Sequence, residues 1–248
     1  MSGFAGMLAA SYKPPVIVEG GGGGGGQSSM DANPRAAYQS LTGDWGGSNP
    51  TGTGNFTWEG WVYNTDSHDN QMIFETRDDS GGGGWAIRTL VASGITNGLS
   101  YLYNNGGGTI TGDVDGLTIN AWHHLAVNRV SGTTKVYLDG TAVITVTDGG
   151  NYTANNWRVG GYWGPYNGTA IWTFEGYLDE FRYSNIARYS GSTITVPTAA
   201  FTSDANTLLL LHMDGTNGGT TFTDSSSYNR TVTRDAGNPT TTTAYYQF

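Results

Sequence analysis

Apolar and polar residues alternate along FTWEGWVY (56–63), which places Phe56, Trp58 and Val62 on one face of a strand and Trp61 and Tyr63 on the other. Further strand-like runs follow at QMIFETR (71–77), GWAIRTLVA (84–92) and LSYLYN (99–104), separated by DDSGGGG and SGITNG, which read as turns. WHHLAVNRV (122–130) turns at Ser131-Gly132 into TTKVYLD (133–139), and Asp139-Gly140 predicts a two-residue hairpin into AVITVT (142–147). WRVGG (157–161) and GYLDEFRYS (176–184) complete the central series, and only NIARYS (185–190) reads as a short turn of helix. Near the end, TLLLLHMDG (207–215) carries four consecutive leucines, the densest apolar run in the chain. Such a run requires burial against a partner strand.

Composition supports an all-β reading. The 248 residues include 40 glycines, 8 Trp, 15 Tyr and 8 Phe, and only 12% are charged against a usual ~25%. Glycine, threonine and aromatics without long helix-forming stretches favour many short strands and turns, the pattern of a sandwich or jelly roll. A net charge of −9, with 11 basic residues scattered along the chain, excludes nucleic acid as a partner. No 18-residue apolar stretch exists, so no membrane insertion is expected. The absence of cysteine removes disulfides and thiolate metal sites. MSGFAGMLAASYKPP at the N-terminus lacks the basic and continuous apolar regions of a signal peptide, so synthesis in a cytoplasm is expected.

The chain divides at its glycines. Residues 1–26 form an N-terminal arm: a mildly apolar segment, an extended KPPVIVEG stretch, and seven glycines from Gly20 to Gly26 as a hinge. Phe4, Met7, Leu8, Tyr12, Pro14 and Pro15 are the candidate anchoring residues of this arm. Residues 27–248 are expected to form one jelly-roll domain.

FTWEGWVY, WHHLAVNRVSGTTKVYLDG and GYLDEFRYSNIARYS, in that order, resemble the concanavalin A-like, laminin G-like jelly-roll domains over roughly residues 55 to 190. The resemblance implies two antiparallel sheets packed face to face. More narrowly, ARYSGSTITVPTAAFTSDANTLLLLHMDGTNGGTTFTDSSS (187–227) resembles a linker in virion proteins of tailed bacteriophages, where it joins one jelly roll to the next. In the family a Leu-rich strand ending in Asp-Gly usually begins the domain, whereas here it comes late. Either the domain is circularly permuted and residues 206–248 supply strands of their own sandwich, or they complete a neighbouring chain's. A frayed remnant is disfavoured, since each exposed leucine forgoes roughly 1.5–3 kcal/mol of burial.

The candidate chemistry is sparse. Glycoside hydrolysis needs two carboxylates about 5–10 Å apart. Asp179 and Glu180, as strand neighbours, are expected to point to opposite faces and to pair with Arg182 or turn amides. His123 and His124 are expected to be scaffold, as adjacent strand residues do not readily ligate one ion. The resemblance implies that loop oxygens hold Ca²⁺ in some family members, and DNQ (69–71), DDS (78–80), DVDG (113–116) and DGTN (214–217) supply such atoms. Asp113 and Asp115 are the candidate ligands; no other cofactor is implied. Trp163 and Tyr166, in the Gly/Pro/Asn-rich segment NNWRVGGYWGPYNGTAIW (155–172), are the glycan-binding candidates. Trp58, Trp61, Trp122 and Trp157 are expected in the core.

The resemblance and the tether together imply a non-enzymatic virion structural protein, a decoration or short-fibre component on the particle surface. Its arm would bind other virion proteins, its chains would form a homo-oligomer, and its lectin-like domain would face outward. The alternative is a glycan-binding adhesin or receptor-binding module recognising a cell-surface polysaccharide.

Overall fold

A computed structural model describes residues 28–32, 39–68, 70–78, 82–104, 109–161, 172–234 and 238–248. The candidate anchors Phe4, Met7, Leu8, Tyr12, Pro14 and Pro15 and the candidates Trp163 and Tyr166 lie outside them. The described residues form strands and no helix, and none of them forms a helix long and apolar enough to cross a membrane.

The strands, in chain order, are β1 (Ser29–Asp31), β2 (Leu41–Asp44), β3 (Phe56–Asn64), β4 (Met72–Glu75), β5 (Trp85–Ala92), β6 (Ile95–Asn104), β7 (Thr109–Asp115), β8 (Trp122–Val130), β9 (Thr133–Leu138) and β10 (Thr141–Thr147). They continue with β11 (Asn156–Val159), β12 (Gly176–Ser184), β13 (Thr207–Leu211), β14 (Thr233–Arg234) and β15 (Thr240–Thr242). Two antiparallel sheets result. One runs β10-β9-β8-β3-β12-β1-β15 with β13 also beside β12; the other runs β14-β2-β11-β4-β5-β6-β7. We call them the first and second sheet. Together they make the jelly-roll sandwich expected of a concanavalin A-like fold.

Between the sheets lies one large core. Phe56, Trp58 and Val62 enter it from β3, Leu125 and Val127 from β8, and Trp85, Ile87, Leu99 and Tyr101 from the second sheet. Trp58, Trp61, Trp122 and Trp157 are all buried, as the alternation of their strands requires. Both tight turns of β8-β9-β10 use left-handed backbone. Ser131 and Gly132 have φ of 47° and 76°, Asp139 and Gly140 have 48° and 84°, and positive φ at both central residues matches the right-handed twist of a hairpin.

The leucine run is β13. It pairs with Phe181–Ser184 of β12 in the same chain, and Leu208, Leu209 and Leu211 join the core. β1 covers the same edge of β12 one step earlier, at Tyr177 and Leu178. β14 pairs with β2 in the second sheet, and β15 pairs with β1 in the first. Residues 206–248 therefore contribute to both layers.

Three local expectations are corrected. NIARYS is not helical: the amides of Arg188 and Tyr189 donate to Thr57 Oγ1 (2.8 Å) and Asn128 Oδ1 (3.3 Å), oxygens presented by β3 and β8. Those bonds hold the segment extended across the first sheet. The SGITNG turn shrinks to Ser93-Gly94, since β6 already begins at Ile95. Asp113 and Asp115 lie in β7 and not in a loop, because Gly112 lets that strand pass close to Ile144 and Val146 of β10.

Candidate functional site

On β5, β6 and β11 the core takes Ile87, Leu99, Tyr101, Trp157 and Val159, so their alternate neighbours face outward from the second sheet. Met72, Ala86 and Leu102 form a small buried apolar cluster there, with the half-buried Trp172 packed against it. Beside this cluster, Glu75 accepts from two guanidinium groups. Arg77 donates through Nε (3.2 Å) and Nη2 (2.9 Å) to Oε2, and Arg158 Nη1 stands 3.4 Å from Oε1. Arg77 Nη2 also lies 3.8 Å from Met72 Sδ, which joins the ion pairs to the apolar cluster.

The described residues that flank 162–171 lie at this face. Gly160 N donates to Ile73 O (3.0 Å), Phe174 N to Gly160 O (2.8 Å), and Met72 N to Trp172 O (3.0 Å). The described residues on either side of 162–171 are thus bonded to each other and to β4. Of these side chains only Trp172 keeps substantial exposed surface.

Asp113 and Asp115 also face outward on this sheet, since Val114 between them packs toward the core. Asp115 Oδ1 accepts from the amides of Thr96 (3.3 Å) and Asn97 (3.0 Å), which fixes the start of β6. Asp113 is exposed and lies opposite Ser100, which in turn lies opposite Arg88. Calcium takes six to eight oxygens. One carboxylate already engaged by amides and another in a row with a guanidinium do not fit that shell, and no group of three or more His, Cys, Asp or Glu able to hold a metal occurs among the described residues.

The outer face of the first sheet holds a second set of titratable groups. Glu59 receives Arg182 Nε (3.0 Å) and Nη2 (2.6 Å) on one oxygen and the Tyr189 hydroxyl (2.5 Å) on the other. His124 Nε2 stands 3.7 Å away, beyond hydrogen-bond length. Burial pushes the Glu59 carboxyl up, but the Arg182 charge and the hydrogen bonds from Arg182 and Tyr189 outweigh it and hold the group below its ordinary value.

Asp179 and Glu180 share this outer face, contrary to the expectation of opposite faces. The ladder between β12 and β3 slips between Asp179 and Arg182, and Glu180 has φ of 52°. This β-bulge gives β12 one extra residue, so Asp179 and Glu180 both turn outward while Phe181 still enters the core. Their partners are not Arg182. Asp179 Oδ2 accepts from the amide of Gln247 (2.9 Å), while Glu180 receives the amide of Phe201 (2.7 Å) and stands 2.7 Å from His212 Nδ1. Burial pushes Asp179 well above its ordinary 3.8, Gln247 pulls it back in part, and the nearby Glu180 and Asp214 add to the rise.

His123 and His124 are separate structural residues. His123 lies between Asp139 Oδ2 (2.7 Å) and Thr118 Oγ1 (2.9 Å), whereas His124 packs edge-on to Trp61 on the opposite side of β8.

Trp172, Glu75, Arg77, Arg158 and Ser100 are the residues of the second-sheet face that sequence reasoning missed. Period-two alternation in WAIRTLVA and LSYLYN could have marked Arg88, Ser100 and Leu102 as outward-facing. The convergence of Glu75 with Arg158, 83 residues apart, has no local signal.

Residues 37–192, more than half of the chain, match the family described as the concanavalin A-like lectin/glucanases superfamily, in its laminin G-type branch, and the chain belongs to that family. No curated protein is similar to it in sequence. Among solved structures, a candidate carbohydrate-binding protein from Bacteroides ovatus superposes with a TM-score of 0.54 at 18% identity, over 87% of this chain. This chain spans 57% of that protein's length. A heptameric SAP-like pentraxin from Limulus polyphemus gives 0.49 at 15% identity, covering 66% of this chain and 77% of the pentraxin. Domains LG4-5 of the mouse laminin α1 chain give 0.43 at 15% identity, covering 66% and 48% of the two chains. At these identities the likeness is one of fold.

Proposed function

We propose that this member of the concanavalin A-like lectin/glucanases superfamily is a non-enzymatic, saccharide-binding jelly roll displayed on the surface of a bacteriophage virion. The observation that carries the binding reading is Trp172 packed on Met72, Ala86 and Leu102, beside the Glu75–Arg77–Arg158 cluster. Trp172 directly follows residues 162–171, which include Trp163 and Tyr166 in the sequence. Aromatic faces stack on the apolar faces of sugar rings, and the half-buried Trp172 is the member of this cluster with a face to offer. The Bacteroides ovatus protein of similar fold, a candidate carbohydrate-binding protein, agrees with this reading.

The non-enzymatic part rests on the buried carboxylates. Glu59, Glu75, Asp148, Asp179, Glu180 and Asp224 are all under 4% exposed and all engaged by arginines, hydroxyls, imidazole or backbone amides. A general acid or nucleophile must reach the glycosidic bond, and these groups are committed to the fold. The virion part rests on the linker-like stretch 187–227 and on the arm of residues 1–26. In this reading the arm binds other virion proteins, and the chains associate as a homo-oligomer on the particle.

The two parts separate experimentally. A chain starting at Gln27, which keeps β1 whole, is expected to keep its saccharide affinity and lose particle association. Trp172→Ala, or Trp163→Ala with Tyr166→Ala, is expected to do the reverse. Particle association that survives loss of the arm would remove the anchoring role.

A further inference from the structure

After β15 the chain crosses the outer face of the first sheet through residues 243–248, which make no backbone-to-backbone hydrogen bond with the described residues. Side chains attach this segment instead. Ser29 Oγ donates to Tyr245 O (2.6 Å), and the Tyr245 ring stacks on Tyr177 with centroids 4.1 Å apart. Phe248 meets Trp61 edge-on at 5.7 Å, and Gln247 N donates to Asp179 Oδ2 (2.9 Å). The seat is poorly satisfied. Trp61 Nε1 and Gln247 Oε1 are buried with no hydrogen-bond partner, as are both ring nitrogens of His124 behind Trp61. A buried polar group left unpaired favours any state in which water reaches it.

The charges around Asp179 are unbalanced. Asp179 is 2% exposed, with Trp61 opposite it on β3. Glu180 follows it on β12, Asp214 lies near it after β13, and Asp31 stands opposite Tyr177 on β1. The basic groups nearby serve other carboxylates: Arg182 bonds Glu59 (2.6 Å), His212 lies 2.7 Å from Glu180, and His124 is beside Trp61 and Glu59. The segment's own titratable side chains are Tyr245 and Tyr246. Two non-glycine residues in left-handed backbone, Glu180 (φ 52°) and Met213 (φ 60°), hold this acidic group together.

We propose that residues 243–248 are a pH-operated strap, seated on the first sheet while Asp179 is protonated and released when Asp179 ionises. A neutral carboxyl is tolerated beneath the segment, whereas a carboxylate there is buried beside two like charges. Burial raises Asp179 well above its ordinary 3.8; the amides of Gln247 and Glu180 pull it back in part, and the charges of Glu180 and Asp214 add to the rise. Lifting the segment returns the carboxylate to water. The hold is therefore complete below the ordinary 3.8 and is lost as pH rises through the raised value of the seated form. Release leaves both sheets intact, because β15 stays paired to β1.

The test is amide hydrogen exchange on the full chain, corrected for the intrinsic effect of pH. Gln247 N reports the strap, and Leu210 N, bonded to Asp224, reports the fold. Protection at Gln247 is expected to fall about ten- to a hundredfold from pH 5 to 8, within the limit of about tenfold per pH unit for one proton. Leu210 should remain the better protected amide throughout. Asp179→Asn should keep Gln247 protected across the range, since its amide oxygen still accepts from Gln247 N. Asp214→Asn, at an exposed position, should make the fall smaller. Protection at Gln247 that does not change with pH overturns the strap. Equal protection of Gln247 and Leu210 at every pH overturns it too, because the segment then leaves only with the whole fold. A wild-type response retained by both variants overturns the role of Asp179 and with it the proposal.

Discussion

The amide of Leu210 donates to Asp224 Oδ1 at 3.0 Å, and through that bond the Asp-Ser-Ser turn clamps the free edge of the leucine strand. Ser225 N returns a bond to Leu210 O (2.8 Å), and Asp224 also accepts from Ser226 N, Ser226 Oγ and Arg230 N, each at 2.9 Å. One side of β13 is thus held by β12 and the other by Asp224 together with the Ser225 amide and Arg230 Nε, which donates to Leu208 O (3.1 Å). Asp224→Ala strands several buried donors and is expected to cost about 2–4 kcal/mol. Chemical denaturation should show a lower midpoint with an unchanged slope.

Gly60 and Phe181 make a second clamp. The bulge at Glu180 drives the Phe181 ring against β3, where a Cβ on residue 60 would lie 2.2 Å from Cδ1. Gly60→Ala is therefore expected to destabilise by about 1–3 kcal/mol through overpacking. A thermal melt of Gly60→Ala combined with Phe181→Leu should recover part of that loss, because the two residues share one contact. Strictly additive losses would contradict the geometry.

Acidity should shift stability in a defined direction. Burial raises Asp179 and Asp214 above their ordinary 3.8, and Glu180 raises His212 above 6.5. All three bind protons more readily in the native chain than in the unfolded one, so each contributes stability that declines as pH rises. For the two carboxyls the decline begins above the unfolded value of 3.8; for His212 the contribution is intact below 6.5 and lost through its folded value. Glu59 has the opposite sign: held below 4.5, it contributes stability that is lost as pH falls through its folded value. From these groups Tm is expected to peak at about pH 4–5 and fall toward pH 8. Asp179→Asn should flatten the fall, and melts from pH 4 to 8 will show whether it does.

The legible parts of this fold were those whose signal is local. β3, β8 and β12 alternate cleanly, and Ser131-Gly132 and Asp139-Gly140 carry the residues that left-handed turns favour. β7 was hidden because TGDVDG has the composition of a turn; Gly112 is in fact there to clear Ile144. β1, β14 and β15 are two or three residues long and exist only through partners far along the chain. NIARYS misleads because its helix-compatible residues are overruled by Thr57 and Asn128, more than 60 residues distant. The bulge at Glu180 had no sequence cue, as glutamate seldom takes positive φ. It reversed the expectation for Asp179 and Glu180. The outward face of the second sheet follows from alternation within each strand, but its ion pairs and the position of Trp172 follow only from topology.

The most direct measurement is saccharide binding by the intact chain, with released reducing ends assayed in the same samples and Trp172→Ala run in parallel. The account predicts that a polysaccharide is bound, that no reducing ends appear, and that Trp172→Ala weakens binding at least tenfold while remaining folded. Binding unaffected by Trp172→Ala would contradict the placement of the site, and reducing ends released by the intact chain would contradict the non-enzymatic reading.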